Sequence, residues 1–217
     1  MTSPFNPVSG RDLIDLVLAC PLAWLVTVDA SGATRVALPL FAETDDAQNL
    51  KGLVGHIPLA HPARQSLAAA SKVLILFSGP NGYASPSWYP DRTSAPTWLY
   101  ASAEIEARLN FDDMITDYAL KGLVSRMEAY HGGDWTTAEM GERYEKLKSQ
   151  VIGFKAEILS VKSCFRFGQN ESDDISRAMA EYARPATLRA WVRRFNAGRT
   201  GAGKAASDAG AGKERAQ

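Results

Sequence analysis

The chain has 217 residues, 46% of them hydrophobic, and its 24 Lys and Arg balance 24 Asp and Glu. That size and composition suit one globular domain, or one domain with an appendage. Zero net charge excludes a global field that would draw in nucleic acid or a membrane surface.

Cys20 and Cys164 lie too far apart in sequence to suggest a disulfide framework or a metal-ligand spacing. The start of the chain lacks a basic region followed by an apolar run, and no apolar stretch approaches membrane-spanning length. A cytoplasmic protein with free thiols is expected. Charge is uneven, however. From Arg177 onward nine Lys and Arg face three acids, so this end is locally basic.

In chain order, apolar residues at 13, 14, 17 and 18 predict a helix over Asp12–Ala19, stopped by Pro21. A strand over Leu22–Val28, a hairpin turn at Asp29–Gly32 and a partner strand over Thr34–Phe41 follow. Leu50–Ile57 reads as a third strand and Pro62–Ala70 as a short helix entered through proline. Val73–Phe77 suits a buried strand. The Gly-Pro-Asn-Gly of Gly79–Gly82 reads as a turn, with the sheet resuming over Gly82–Ser87.

Trp98–Asn110 alternates cleanly. Ala103, Ile105, Ala107 and Leu109 point one way, and Glu104, Glu106 and Arg108 the other. Asp112 is a suitable N-cap before a helix over Met114–Tyr130. Thr136 with Glu139 forms a capping box that opens another helix, to about Lys148. A long strand over Val151–Phe167 precedes a helical region that begins at Ser172, breaks at Pro185 and resumes to Phe195. Residues 197–217 lack a periodic apolar face and read as a tail without regular structure.

About six strands with helices late in the chain predict a mainly β, α+β fold: a small antiparallel barrel with appended helices. The expected organisation is a barrel domain over 1–170, with inserted helices over about 112–149, and a helical extension over 171–196.

The segment Gly79–Tyr100 holds Trp88, Trp98, three tyrosines and four prolines. Rings beside proline-fixed turns make a shelf for a flat ligand or a subunit interface, or a satellite core under a long loop. SPSWYP at Ser85–Pro90 followed by PTWLY at Pro96–Tyr100 resembles the signature of PaiB-type proteins, a family of FMN-binding negative transcriptional regulators. CPLAWLVT at Cys20–Thr27, GLVGHIPLAHP at Gly52–Pro62, VLILFSGP at Val73–Pro80 and GQN at Gly168–Asn170 fit in the same order. The resemblance implies an antiparallel FMN-binding split β-barrel, a homodimer, and flavin in clefts between subunits.

It also implies site residues. His61, Arg64 and Gln65, at a strand-to-helix junction, are the expected phosphate contacts, with His56 in the strand before them. Backbone groups around Val36 and Leu38 would meet the isoalloxazine edge. Ser85, Trp88 and Trp98 would line or close the cleft, and Arg166, Gln169 and Asn170 follow the last strand. The chain departs from the family pattern at Cys20, Ala37, Glu104 and Cys164, where basic residues are the rule, and at Leu99.

Three functions stay open at this point: a flavin-binding regulator, a flavin-dependent oxidoreductase of the same fold, and a cofactor-free binding protein. His56, His61 and His131 do not share a metal spacing. No helix-turn-helix or zinc finger marks a DNA-binding element, although the basic end could meet phosphates.

Overall fold

A computed structural model describes residues 4–7, 9–30 and 32–198. Seven strands and six α-helices are found among them: α1 (Arg11–Ala19), β1 (Leu22–Asp29), β2 (Gly32–Pro39), β3 (Phe41–Thr44), β4 (Leu50–Pro58), α2 (Ala63–Ala69), β5 (Val73–Ala84), β6 (Thr97–Phe111), α3 (Thr116–His131), α4 (Glu142–Lys148), β7 (Val151–Arg166), α5 (Asp173–Tyr182) and α6 (Ala186–Phe195). The tail expected over 197–217 lies, from residue 199 onward, outside the described residues. Among those described, no helix is long and apolar enough to cross a membrane.

The chain divides into two compact units. The larger holds 9–79 and 102–163; the smaller holds 1–8, 80–101 and 164–217. In the larger unit the strands form one sheet in the order β2-β1-β5-β6-β7-β4-β3. β1 and β2 pair antiparallel from Leu22↔Pro39 to Asp29↔Gly32, and Gly32 takes φ of 120°, a conformation that favours glycine. β4 pairs antiparallel with β3 and with β7.

The predicted strand Thr34–Phe41 is two strands. Pro39 has no N–H to give a ladder, and the Leu40 N–H bonds the Pro21 carbonyl at 2.9 Å instead. This one-residue break matters for the fold. β2 and β3 are opposite edges of the sheet, yet only Leu40 separates them in the chain. The sheet must therefore wrap round on itself, and β2 comes against β4. β2 lies against β4 without hydrogen-bonding to it, which makes this a split β-barrel.

Inward residues alternate along each strand, as pleating requires. Leu25, Leu53, Ile57, Ile75, Ile105 and Phe154 are fully buried, and each such side chain contributes about 1.5–3 kcal/mol on leaving water. β6 keeps its predicted alternation, with Ala103, Ile105, Ala107 and Leu109 all buried. Asp112 caps as expected, accepting the Met114 N–H at 2.8 Å. The Thr136–Glu139 capping box is present, but it opens a short 3₁₀ turn. Gly141, at φ of 56°, then separates that turn from α4.

In the smaller unit, the predicted Gly79–Gly82 turn is extended strand: β5 runs unbroken from Val73 to Ala84. Its register with β1 covers only Leu74–Leu76, so the N–H that Pro80 lacks removes no bond from that ladder. Gly82 serves packing here. A Cβ on it would lie 2.7 Å from Leu188 and 2.9 Å from the Arg184 carbonyl. Ser172 caps α5 by accepting the Ile175 N–H at 3.4 Å, and α6 follows Pro185. Phe165, Phe167, Trp191 and Phe195 form a ring cluster with centroids 5.1–6.0 Å apart.

Candidate functional site

The sequence-derived site residues fall into two groups, one in each unit. Val36, Leu38, His56, His61, Arg64 and Gln65 belong to the larger unit. Val36 and Leu38 are buried on β2, so their side chains serve the core. β2 is an edge strand, and one side of its backbone has no strand neighbour. What this strand can offer a ligand is main-chain N–H and C=O, not side chains. Both β4 and α2 lie against it.

His56 sits on β4 opposite Gly153 of β7. Its Nδ1 is buried with no hydrogen-bond partner among the described residues, and burial pushes its pKa below the usual histidine value. The ring is therefore neutral near pH 7, with one nitrogen lacking a bond. An unpaired buried polar atom of this kind is costly and asks for a partner.

At the β4–α2 junction, His61 Nδ1 accepts the Ala63 N–H at 3.1 Å. That bond places the ring proton on Nε2 and makes Nε2 the donor. Arg64 Nε donates to the Leu59 carbonyl at 3.0 Å, which fixes the plane of the guanidinium and leaves its two NH₂ groups as the outer donors. Gln65 is exposed beside it. The expected helix-end reading weakens, because α2 has only seven residues, Pro62 lacks an N–H and His61 already caps Ala63. The side-chain donors remain.

The second group serves local structure in the smaller unit. Ser85 Oγ accepts the Ser87 N–H at 3.2 Å and caps a 3₁₀ turn. Trp88 is half-buried and tilted on Tyr182 of α5, 6.4 Å between centroids. Trp98 is 53% exposed, pairs with Tyr83 at 6.2 Å and donates through Nε1 to Asn81 Oδ1 at 3.4 Å. Arg166 lies over the Phe5 ring at 5.2 Å. The Gln169 amide turns back on β7, donating to the Phe165 carbonyl and accepting the Phe167 N–H. Asn170 is exposed. The Cys164 thiol donates to the Tyr100 hydroxyl at 3.5 Å; that bond first, and then burial, raises the Tyr100 pKa.

The sequence reading passed over Arg126, a half-buried guanidinium on α3. Its only sequence signal is a glycine one helical turn earlier, at Gly122.

Residues 1–160 match a family model described as "Putative FMN-binding domain". The chain is 23% identical over 175 residues to the Protease synthase and sporulation protein PAI 2 of Bacillus subtilis (strain 168), covering 78% of this chain and 81% of that one. Among solved structures it is similar to the FAD and heme binding protein from Mycobacterium smegmatis (TM-score 0.55, 16% identity, 82% of this chain and 80% of that one). It is also similar to the flavocytochrome Anf3 from Azotobacter vinelandii (TM-score 0.53, 13% identity, 74% of this chain and 68% of that one). At these identities the structural likeness establishes the fold.

Proposed function

The chain belongs to this FMN-binding domain family, with FMN as the cofactor that membership assigns, and we propose that the larger unit holds it between β2 and the β4–α2 junction. The observation that carries the placement is His56, a neutral, half-buried ring whose buried Nδ1 has no partner among the described residues, on a strand that lies against β2. The main chain of Val36 and Leu38 offers the alternating donors and acceptors that suit the edge of an isoalloxazine. His61 Nε2 and the outer nitrogens of Arg64, with Gln65 beside them, are the donors for a phosphate. When bound, FMN supplies a redox-active ring; the protein's part is placement and electrostatics. Ser85, Trp88, Trp98, Arg166, Gln169 and Asn170 are proposed to act only through the shape of the smaller unit, since most of their polar groups are engaged locally.

The proposal includes a homodimer. The outward face of β1 carries Leu22, Trp24 and Val28 at 62%, 53% and 74% exposure, with Ala37 and Pro39 opposite them on β2. A run of exposed apolar side chains on a sheet face calls for a cover, and a second copy supplies a matching surface. The regulatory role follows the resemblance and the relative's name, which ties that protein to protease synthesis and sporulation. We place it in the cytoplasm. In the basic C-terminal helix, Arg193 bonds the Ala180 carbonyl and Arg194 lies over Trp191 and Phe195; this favours a structural use of those charges over a DNA contact.

The test is a titration of the purified full chain followed by FMN fluorescence, with Arg64→Ala beside it. Saturable quenching that weakens about tenfold in the variant supports the phosphate placement. No binding at tens of micromolar FMN overturns it. Trp24→Lys, in sedimentation, is expected to give a monomer.

A further inference from the structure

Where α1, β3 and α3 meet, a slot of about 190 Å³ opens among Ile14, Val17, Leu18, Leu40, Ala42 and Met127. It shares Thr44 and Arg126 with a second, polar cavity of about 530 Å³. Arg126 thus stands where an apolar slot meets a polar one.

Its guanidinium is held in place. Nη1 donates to the Gly122 carbonyl at 3.0 Å, and Cζ lies 4.1 Å from the centroid of the buried Phe41 ring. Gly122 makes this possible, since a Cβ there would lie 2.6 Å from Phe41 Cζ and 3.2 Å from Nη1. Among the described residues no carboxylate lies within ion-pair distance of Arg126. The two acids that line the polar cavity are engaged elsewhere: Glu43 by Lys155 at 2.8 Å and Glu157 by Arg108 at 3.4 Å.

A guanidinium has five N–H donors in a rigid fork. Here it is half-buried, oriented by a ring and a carbonyl, and left without a counter-charge at the end of a hydrocarbon-lined slot. We propose that this is a binding site for an amphipathic monocarboxylate, with the carboxylate on Arg126 and an aliphatic chain in the slot. Arg126 offers one oriented fork for one carboxylate; of the other cations on the polar cavity, Lys155 is paired with Glu43 and Lys51 is exposed. A phosphate dianion would bring a second charge toward Glu43 and Glu157. The slot is smaller than the ~300 Å³ at the low end of drug-sized sites, which sets the chain at roughly six to eight carbons.

The experiment is calorimetric titration of the purified full chain with octanoate, octanol and butyrate. Octanoate is expected to saturate, with octanol and butyrate at least about tenfold weaker, since the first lacks the charge and the second the chain. Arg126→Gln should weaken octanoate by about tenfold or more and leave octanol unchanged. Ala42→Leu narrows the slot while keeping the Arg126 guanidinium, and should weaken octanoate too. Should Arg126→Gln fail to fold, Arg126→Lys, which keeps the charge and loses the fork, must bind octanoate more weakly than the parent. Failure of octanoate to bind at millimolar concentration, equal binding by octanol, or indifference to Arg126 or Ala42 overturns the site.

Discussion

Thr116 Oγ1 accepts the main-chain N–H of Gly153 at 2.9 Å, and both residues are buried. A Cβ on Gly153 would lie 2.9 Å from the Thr116 Cα. The first residue of α3 therefore rests directly on β7, at a point where no side chain intervenes and a strand N–H needs an acceptor. Thr116→Val keeps the shape and removes the acceptor. The expected cost is about 1–3 kcal/mol, the penalty of a buried unpaired N–H. Thr116→Ser should cost less. Urea midpoints measure both, and a Thr116→Val protein as stable as its parent would refute the account.

Gly122→Ala sets two effects against each other. Alanine gains about 1 kcal/mol over glycine inside a helix. Its Cβ, however, meets Phe41 Cζ at 2.6 Å, and Phe41 is only 2% exposed, so the ring has nowhere to go. Overpacking of this kind costs about 1–3 kcal/mol. The expected outcome is a net loss of stability in chemical denaturation.

Tyr89 is 4% exposed, and its hydroxyl has no partner among the described residues. Burial first, then the negative charges of Glu171 and of an ionised Tyr83, push its pKa up to about 12. A raised folded-state pKa means that the unfolded chain releases this proton first. Stability is then undiminished below about pH 10, the usual tyrosine value, and falls as pH rises toward 12. Tyr89→Phe removes a hydroxyl that bonds nothing and should be neutral or stabilising by up to about 1 kcal/mol. Phenolate absorbance against pH should lose a component that titrates near pH 12 in that variant, or else keep it and disprove the assignment.

Asn196 Nδ2 donates to the carbonyls of Phe167 and Val192, both at 2.8 Å, from a fully buried position. Asn196→Ala leaves the Phe167 carbonyl without that donor and should cost about 1–3 kcal/mol. The loss falls on α6, which carries Trp191. Faster amide exchange across Ala186–Phe195 and red-shifted tryptophan emission are the expected signs.

Much of this fold is written in local pattern. The alternation of β6, the Asp112 cap and the Thr136–Glu139 box each depend on neighbours a few residues away, so each could be read directly. The Gly-Pro-Asn-Gly segment could not. Its residues are turn formers by propensity, yet they lie in β5, because Gly82 must admit Leu188 and the Arg184 carbonyl. The break at Leu40 was equally hidden, since it serves barrel closure rather than a local turn.

By itself the sequence determined the mainly β fold with helices late in the chain, and it carried the family resemblance in SPSWYP and PTWLY. Both rest on short-range order: side-chain period along a strand, caps, and motifs of a few residues. Only the tertiary structure decided that, among the described residues, His56 carries an unpartnered ring nitrogen on a strand against β2 and Arg126 has no carboxylate within ion-pair distance, and that Gln169 is spent on its own strand. Those facts depend on which side chains fill the space around a group. Such neighbours come from distant parts of the chain, and no local pattern records them.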